Sequence, residues 1–336
     1  MRWVKRWTTA LIVVLFSLAA NVQNSETFRL VYKKKYVMGT VFEVAAYDKS
    51  PEAASKAIEK AFQEIVRIDD LLSNYKVESA LSQLSRSAHF RAQRVPPDLY
   101  RVIEQSLQFS KLSNGKFDIS IAPLVNLWKA ALLGGSTPSR EQDEEVRGCV
   151  GYQKIQLTAP DEIEFHSPCL QLDLGAVGKG YAVDRAAETL RSFGIRDALI
   201  DAGGSTIVAM GSPPGQAGWL VHLRDPSQKL DPQVMLSDQS VSTSEQTTAS
   251  LLGSNPAGHI VDPETGTPLK TQFAVSVVAK TGTVSDALST TLLLLGPANG
   301  KNLVRRMPGV SAIWIAPQAQ AETVTGGTQI VFGGKL

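Results

Sequence analysis

The densest group of residues suited to chemistry lies between Asp173 and Asp184, which read DLGAVGKGYAVD. Glycines at 175, 178 and 180 allow the backbone to approach a ligand closely, and amides ahead of a helix suit an anion. Lys179 adds a point charge for phosphate. The spacing matches neither a Walker A loop nor the GxGxxG fingerprint of dinucleotide-binding proteins. The alternative is a tight strand-to-helix turn with a surface lysine.

A second segment, TGTVSDALST at 281–290, contains Asp286 and Thr290. On a helix these two side chains are four residues apart and share a face. A carboxylate and a hydroxyl placed in this way could hold a hard divalent ion through oxygen and leave positions for phosphate and water. The alternative is a helix start in which Thr283 is the N-cap and Asp286 occupies the third helical position.

A third segment, GHIVDPETG at 258–266, places His259 beside a stretch typical of a turn. Histidine is the side chain that titrates near neutrality, so His259 is a candidate general base. The alternative is a structural histidine.

Two aromatic residues occur in segments that are otherwise rich in polar and small residues. Phe117 lies in NGKFDIS at 114–120, and Tyr75 lies in LSNYKVESAL at 72–81. Either ring could pack on a planar ligand, and either could be an ordinary core aromatic.

The two cysteines, Cys149 and Cys169, flank a segment that reads strand, turn, strand, with the turn at residues 159–161. A hairpin there would place the two sulfurs opposite one another and permit a disulfide. Two free buried thiols are the alternative. With no nearby pair of histidines, the cysteines do not form a zinc site.

The remaining pattern mixes strands and helices without regular alternation, which indicates an α+β fold in one compact unit, with no internal repeat. Apolar residues at intervals of three and four predict a helix over 51–72, and a second helix is predicted over 97–112. Residues 127–148 are predicted to form a helix and loops. Further helices are predicted over 181–193 and 285–295, strands over 27–48 (bent at Gly39), 153–158, 162–166, 198–204, 219–225, 273–279 and 311–317, and a polar tail after these.

The amino terminus has the pattern of a secretory signal. Arg2, Lys5 and Arg6 precede an apolar run of about a dozen residues that ends near Ala20. We therefore expect a signal peptide over 1–20, an exported protein that is periplasmic or associated with the periplasmic side of the inner membrane, and one domain over 21–336; an uncleaved membrane anchor is the alternative. Without the first twenty residues the chain has 31 basic and 32 acidic residues, which argues against a nucleic-acid partner.

Taken together and in this order, these segments resemble the FAD:protein FMN transferase family, the ApbE family. The resemblance runs from Met38–Gly39–Thr40 to SDALSTTLLLLG at 285–296 and covers nearly the whole chain after the signal. The blocks DLGAVGKGYAVD, HIVDPETG and SDALST are specific in combination. One departure stands at 243–247, where family members often have Gly after Thr-Ser and this chain has Glu245. Another is that the Cys to which lipid is attached in many members is missing.

The resemblance implies an α+β fold of largely antiparallel sheets and a Mg²⁺-dependent extracytoplasmic enzyme. Such an enzyme splits FAD, attaches FMN to a Thr or Ser hydroxyl of an acceptor protein and releases AMP. The acceptor would be a subunit of a membrane-linked electron-transfer complex, with peripheral membrane association of the enzyme possible. A hydrolase that releases FMN and AMP, and a flavin-binding protein without turnover, are the alternative functions.

The resemblance also implies roles for individual residues. His259 would be the base for the acceptor hydroxyl. The metal would be held by Asp286, Thr290 and the backbone carbonyl of Ala176. The flavin nucleotide would be held by Met38, Tyr75, Lys116, Phe117, Asp118, Asp173, Lys179 and Ile260.

Overall fold

The computed structural model describes residues 27–246 and 260–333. The strands are β1 (Arg29–Val37), β2 (Thr40–Asp48), β3 (Gln93–Arg94), β4 (Ile155–Thr158), β5 (Glu162–Phe165), β6 (Asp197–Ala202), β7 (Thr206–Met210), β8 (Trp219–His222), β9 (Pro232–Leu236), β10 (Gln239–Glu245), β11 (Ala274–Ala279), β12 (Ser311–Ile315), β13 (Ala321–Val324) and β14 (Ile330–Phe332). The helices are α1 (Pro51–Leu72), α2 (Ala80–Ser87), α3 (Pro97–Leu112), α4 (Ala122–Leu133), α5 (Arg140–Arg147), α6 (Gly178–Ser192) and α7 (Gly282–Val304).

An eight-stranded sheet with the order β1-β2-β6-β7-β10-β11-β12-β13 forms the centre of the fold. Every neighbouring pair in it is antiparallel. Helices α1, α6 and α7 pack on one face, and the small sheet β14-β9-β8 packs on the other through a second apolar cluster. The α+β prediction with largely antiparallel sheets is confirmed.

Helix α1 shows why local sequence was sufficient for some elements. The Ser50 Oγ accepts a hydrogen bond from the Ala53 amide, and Pro51 occupies the first helical position, where its missing N–H has no cost. The apolar residues predicted to face the core are buried, among them Ile58, Phe62 and Ile65. Helices α1 and α3 match the predicted bounds.

Other predicted bounds need correction. Helix α6 begins at Gly178 rather than 181, and α7 extends over Gly282–Val304, with an interruption at Gly296, whose φ is 68°, just before Pro297. Residues after 317 do not form only a polar tail, because β13 pairs with β12, and β14 pairs with β9. Strands of four and three residues at sheet edges, as β13 and β14 are, are too short for alternation to reveal them.

Cys149 and Cys169 form a disulfide, so the alternative of two free thiols is wrong. The predicted hairpin exists as β4 and β5 and brings the two chain segments together. Within the two described ranges, none of the helices has the length and apolar character needed to cross a membrane.

Candidate active site

Helices α6 and α7 begin beside each other, and glycines make this close approach possible. A Cβ on Gly180 would lie 2.7 Å from the Cβ of Asp286, and a Cβ on Gly282 would lie 2.7 Å from the carbonyl oxygen of Gly180. Non-bonded carbon atoms, or a non-bonded carbon and oxygen, do not approach each other to 2.7 Å. Glycine at 180 and 282 is therefore required by packing between the helices, and the close approach of a ligand at Gly180 stays a prediction.

The Asp286 carboxylate is buried and accepts a hydrogen bond from the Gly180 amide at 2.8 Å. Gly180 lies in the first turn of α6, where amides have no partner within the helix. In a helix that started one turn earlier, this amide would donate to the carbonyl of Ala176. The Gly180 amide donates to Asp286 instead. The Ala176 carbonyl therefore accepts no hydrogen bond from the described residues.

The predicted alternative, in which Asp286 serves only as a helix cap, is wrong. The N-cap of α7 is Thr281, whose side chain accepts from the Val284 amide, so Asp286 lies beyond the first three helical positions. The Thr283 hydroxyl donates instead to the Asp184 carboxylate of α6 at 2.6 Å.

Thr290 lies one turn after Asp286 on the same face of α7, as the spacing predicts. Its hydroxyl is 3.0 Å from the hydroxyl of Ser244 at the end of β10. Ser244 also contacts Ser289, at 2.8 Å. The end of β10 therefore fixes the position of the Thr290 hydroxyl.

These groups face one cavity of about 310 Å³. Nine of the residues implied by the resemblance line it: Lys116, Phe117, Asp118, Asp173, Ala176, Lys179, Ile260, Asp286 and Thr290. The carboxylate of Asp286 and the ammonium of Lys179 thus meet the same space, although they lie 107 positions apart in numbering.

Three of the implied residues are not seen in this cavity. Tyr75 is 80% exposed, and its ring lies 5.2 Å from the Lys129 ammonium. Met38 forms the turn between β1 and β2 with a φ of 52° and lies near Gly178 at the start of α6. His259 lies outside the described residues. The roles of these three residues stay predictions.

Lys116 is held by two acids of the turn that follows Ile260. Its ammonium lies 3.0 Å from Asp262 and 2.5 Å from Glu264. Burial acts to lower the pKa of Lys116, but the hydrogen bonds to Glu264 and Asp262 outweigh it, so the pKa is raised and the side chain stays cationic. Lys116 therefore joins the GKFDIS segment to the DPETG turn.

Asp118 is buried at the floor of the cavity and organises its surroundings. Its carboxylate accepts from the Ser120 amide and hydroxyl and from the Tyr152 amide, at 2.6–2.9 Å. Burial raises the pKa of Asp118, against the lowering effect of these hydrogen bonds. Asp173 accepts from the Gly175 amide at 2.7 Å and so shapes the turn before α6.

Lys179 differs from the other cations of the cavity. Lys116 pairs with Asp262 and Glu264, and Arg224 pairs with Glu245 at 3.0 Å, whereas Lys179 has no hydrogen bond or ion pair with any described residue. It is the cation of this cavity most available to a bound anion.

Sequence reasoning missed Ser205 and Arg224, which also line the cavity. Ser205 directly follows the DAGG segment at 201–204, and this proximity was a usable signal. Arg224 follows β8 in a stretch with no motif, so only the fold could reveal it. Its partner Glu245 is the residue at which this chain departs from the pattern of the family it resembles.

Gln246, next to that departure, holds the segment after the undescribed residues in place. Its side-chain amide donates to the carbonyls of Ile260 and Leu269 and accepts from the Ile260 amide, at 2.9–3.1 Å. Gln246 thus joins the end of β10 to the segment that begins at Ile260.

The donor set of the cavity fits a hard cation that needs few protein ligands. Among the residues that the structure describes, there is no cluster of three or more His, Cys, Asp or Glu suited to a metal. The three ligands that the resemblance implies, the Asp286 carboxylate, the Thr290 hydroxyl and the free Ala176 carbonyl, all offer oxygen, which Mg²⁺ prefers when it keeps water and phosphate as further ligands.

The fold and cavity define an antiparallel α+β protein with a cavity at the contact of α6 and α7, and comparison with known proteins identifies the family. The model of the ApbE family matches residues 38–314. This chain belongs to the ApbE family.

Relatives and solved structures agree with that assignment. The chain is 28% identical to the FAD:protein FMN transferase of Treponema pallidum over 95% of this chain and 94% of the relative. It is 29% identical to the Escherichia coli K12 protein of the same name, over 80% and 79%. The crystal structure of the Pseudomonas stutzeri flavinyl transferase ApbE in its apo form superposes with a TM-score of 0.76 at 25% identity, over 89% of this chain and 96% of that one. The Vibrio cholerae flavin transferase ApbE, at 22% identity and a TM-score of 0.75 over 91% and 97%, shares the fold.

Proposed function

We propose that this chain is an FAD:protein FMN transferase that moves FMN from FAD to a Thr or Ser hydroxyl of an acceptor protein and releases AMP, with Mg²⁺ as the required cation. The observation that carries the proposal is the meeting of Asp286, Thr290, the free Ala176 carbonyl and Lys179 around one cavity. The family and the names of its relatives supply the identity of the substrates.

The metal would be held by Asp286, Thr290 and the Ala176 carbonyl. One oxygen of the Asp286 carboxylate is engaged by the Gly180 amide, which fixes the orientation of the other. When bound, Mg²⁺ would neutralise charge on the diphosphate oxygens and so lower the barrier to displacement at phosphorus.

The walls of the cavity suit the rest of the dinucleotide. Phe117, Ile121, Val125, Ile260 and Leu294 give it an apolar side that fits a flavin ring. Lys179 supplies the charge for phosphate. A second cavity of about 520 Å³ adjoins the first and shares Lys116, Asp118 and Pro263 with it, which gives room for a ligand with two halves.

The reaction needs a base for the acceptor hydroxyl. The acceptor oxygen forms a bond to the phosphorus of the FMN half, the bond from that phosphorus to the bridging oxygen breaks, and AMP leaves with the bridging oxygen. His259 is proposed to take the hydroxyl proton. It directly precedes Ile260, which lines the cavity and is held by Gln246.

We propose that the enzyme acts outside the cytoplasm, on a protein of a membrane-linked electron-transfer complex. The support is the signal pattern at residues 1–20, together with the disulfide, since disulfides persist in oxidising compartments.

The test is incubation with FAD, Mg²⁺ and a set of peptides that carry Thr or Ser among varied neighbours. We expect flavin fluorescence that stays on a peptide through denaturing electrophoresis, together with AMP, and loss of both in the presence of EDTA. The Asp286→Asn variant, which keeps an oxygen for the Gly180 amide, should be inactive. Asp70→Asn on the exposed side of α1 is the matched control and should be fully active.

Two results would contradict the proposal. Release of AMP and free FMN without any labelled peptide would indicate a hydrolase. FAD that survives prolonged incubation with Mg²⁺ would indicate a flavin-binding protein without turnover.

A further inference from the structure

Helices α6 and α7 each offer first-turn amides to a carboxylate of the other helix. Asp184 of α6 accepts from the Gly282 amide at 2.7 Å and from the Thr283 amide at 2.8 Å. In the opposite direction, Asp286 of α7 accepts from the Gly180 amide at 2.8 Å. Both carboxylates thus lie at the positive end of the neighbouring helix, where a negative charge is stabilised.

Asp184 is outside the candidate active-site cavity. It faces a separate cavity on the other side of the α6–α7 contact, together with Thr281 and Thr283. Any effect of Asp184 on substrate or metal must therefore pass through the position of α7.

We propose that Asp184 is a positioning residue for the divalent-cation site, because it fixes the start of α7 against α6. Each of the two helices joined by this contact supplies half of the site. The Ala176 carbonyl and Lys179 come from the start of α6, and Asp286 and Thr290 come from α7.

The contact leaves little freedom for compensation. A Cβ on Gly282 would lie 2.6 Å from Val183 Cγ2 and 3.1 Å from a carboxylate oxygen of Asp184, so the chain at 282 is enclosed by α6 on several sides. The Thr283 hydroxyl adds a third hydrogen bond to Asp184 at 2.6 Å. Without the carboxylate, two amides and a hydroxyl at the start of α7 lose their acceptor, and the helix start is free to move away from Ala176.

The inference rests on the proposed function, since the cation belongs to that chemistry. The test is binding of Mn²⁺ alone to the full chain without FAD. Binding is measured through the loss of the electron paramagnetic resonance signal of free Mn²⁺. We expect Asp184→Ala to weaken Mn²⁺ binding at least tenfold while Asp286 and Thr290 are intact. The Mg²⁺ concentration that gives half-maximal AMP release should rise by a similar factor, and excess Mg²⁺ should restore turnover.

Two further variants separate positioning from general stability. Thr283→Val removes one of the three hydrogen bonds and should weaken Mn²⁺ binding by about threefold with a fully folded chain. Asp197→Ala removes a carboxylate that accepts from the Ser212 amide at 3.0 Å, away from the cavity, and should leave Mn²⁺ binding unchanged.

The outcomes distinguish the two proposals. If wild-type chain binds Mn²⁺ in a manner that Asp286→Asn abolishes, and both Asp184→Ala and Thr283→Val bind it with wild-type affinity, the positioning role is wrong and the proposed function stands. If the wild-type chain shows no Mn²⁺ binding that depends on Asp286, both proposals are wrong.

Discussion

The hydroxyl of Ser244 lies 3.0 Å from the hydroxyl of Thr290 and joins the end of β10 to the face of α7 that carries Asp286. Outer partners of this kind orient the groups that hold a metal and are often as important as the ligands themselves. Under the proposed function Ser244 would orient Thr290, which its place in the Thr-Ser pair of the sequence did not reveal.

Removal of this hydroxyl should weaken use of the cation without disturbing the fold. For Ser244→Ala we expect the Mg²⁺ concentration for half-maximal AMP release to rise about tenfold. Ser242→Ala is the matched control, because Ser242 lies on the same face of β10 but bonds Thr206 and Ser285 rather than Thr290. Equal Mg²⁺ requirements in the two variants would contradict the role of Ser244.

Lys179 should contribute to the binding of FAD through its charge. Because its ammonium has no partner among the described residues, it is available to the diphosphate, and Lys179→Met should weaken FAD binding by roughly tenfold, equivalent to about 1.4 kcal/mol. Lys179→Arg should bind FAD more tightly than Lys179→Met. The measurement is flavin fluorescence in EDTA, and an unchanged affinity in Lys179→Met would show that the phosphate lies elsewhere.

Gly180 should tolerate no side chain. Gly180→Ala places a methyl group 2.7 Å from the Cβ of Asp286, so we expect a loss of about 2 kcal/mol in the free energy of unfolding and little transferase activity. Gly134→Ala is the control, since its nearest neighbours would lie at an ordinary 3.5 Å and its φ of −80° suits alanine. Urea unfolding and the transfer assay measure the two effects, and a stable, active Gly180→Ala chain would contradict the packing argument.

An ion-pair network that joins α1, α3 and α6 should make stability depend on pH. Hydrogen bonds from Arg67 lower the pKa of Glu64 from its ordinary value of about 4.5; burial opposes this, and the charges of Arg67 and Arg185 lower the pKa further. A carboxyl with a depressed pKa in the folded chain stabilises it fully above the unfolded pKa, and this stabilisation is lost as pH falls through the folded pKa.

Glu64→Gln should therefore cost about 1 kcal/mol at pH 7, a modest figure because Arg67 is half exposed and the pair is screened by solvent. The difference between wild type and variant should shrink as pH falls below 4.5 and through the lower folded pKa. Urea unfolding at pH 7 and at pH 3.5 measures it. A difference that stays constant with pH would show that the charge of Glu64 is not responsible.

Local sequence determined those parts of this protein whose causes lie within one segment. The period of apolar residues and the start at Pro51 defined α1, and the hairpin between Cys149 and Cys169 permitted the disulfide that the structure contains. The glycine-rich turn, the Asp286–Thr290 pair and the resemblance they support identified the family before any fold was known, because those features are read over a few adjacent residues.

Only the tertiary structure decided how these segments meet. The bond from Gly180 to Asp286, which frees the Ala176 carbonyl, and the ion pair of Arg224 with Glu245 join residues that are distant along the chain. The tertiary structure also leaves Tyr75 exposed and away from the cavity. Contacts of this kind depend on the packing of α6 against α7 and of β10 beside them, and no period or spacing within one segment specifies the distance between two helices.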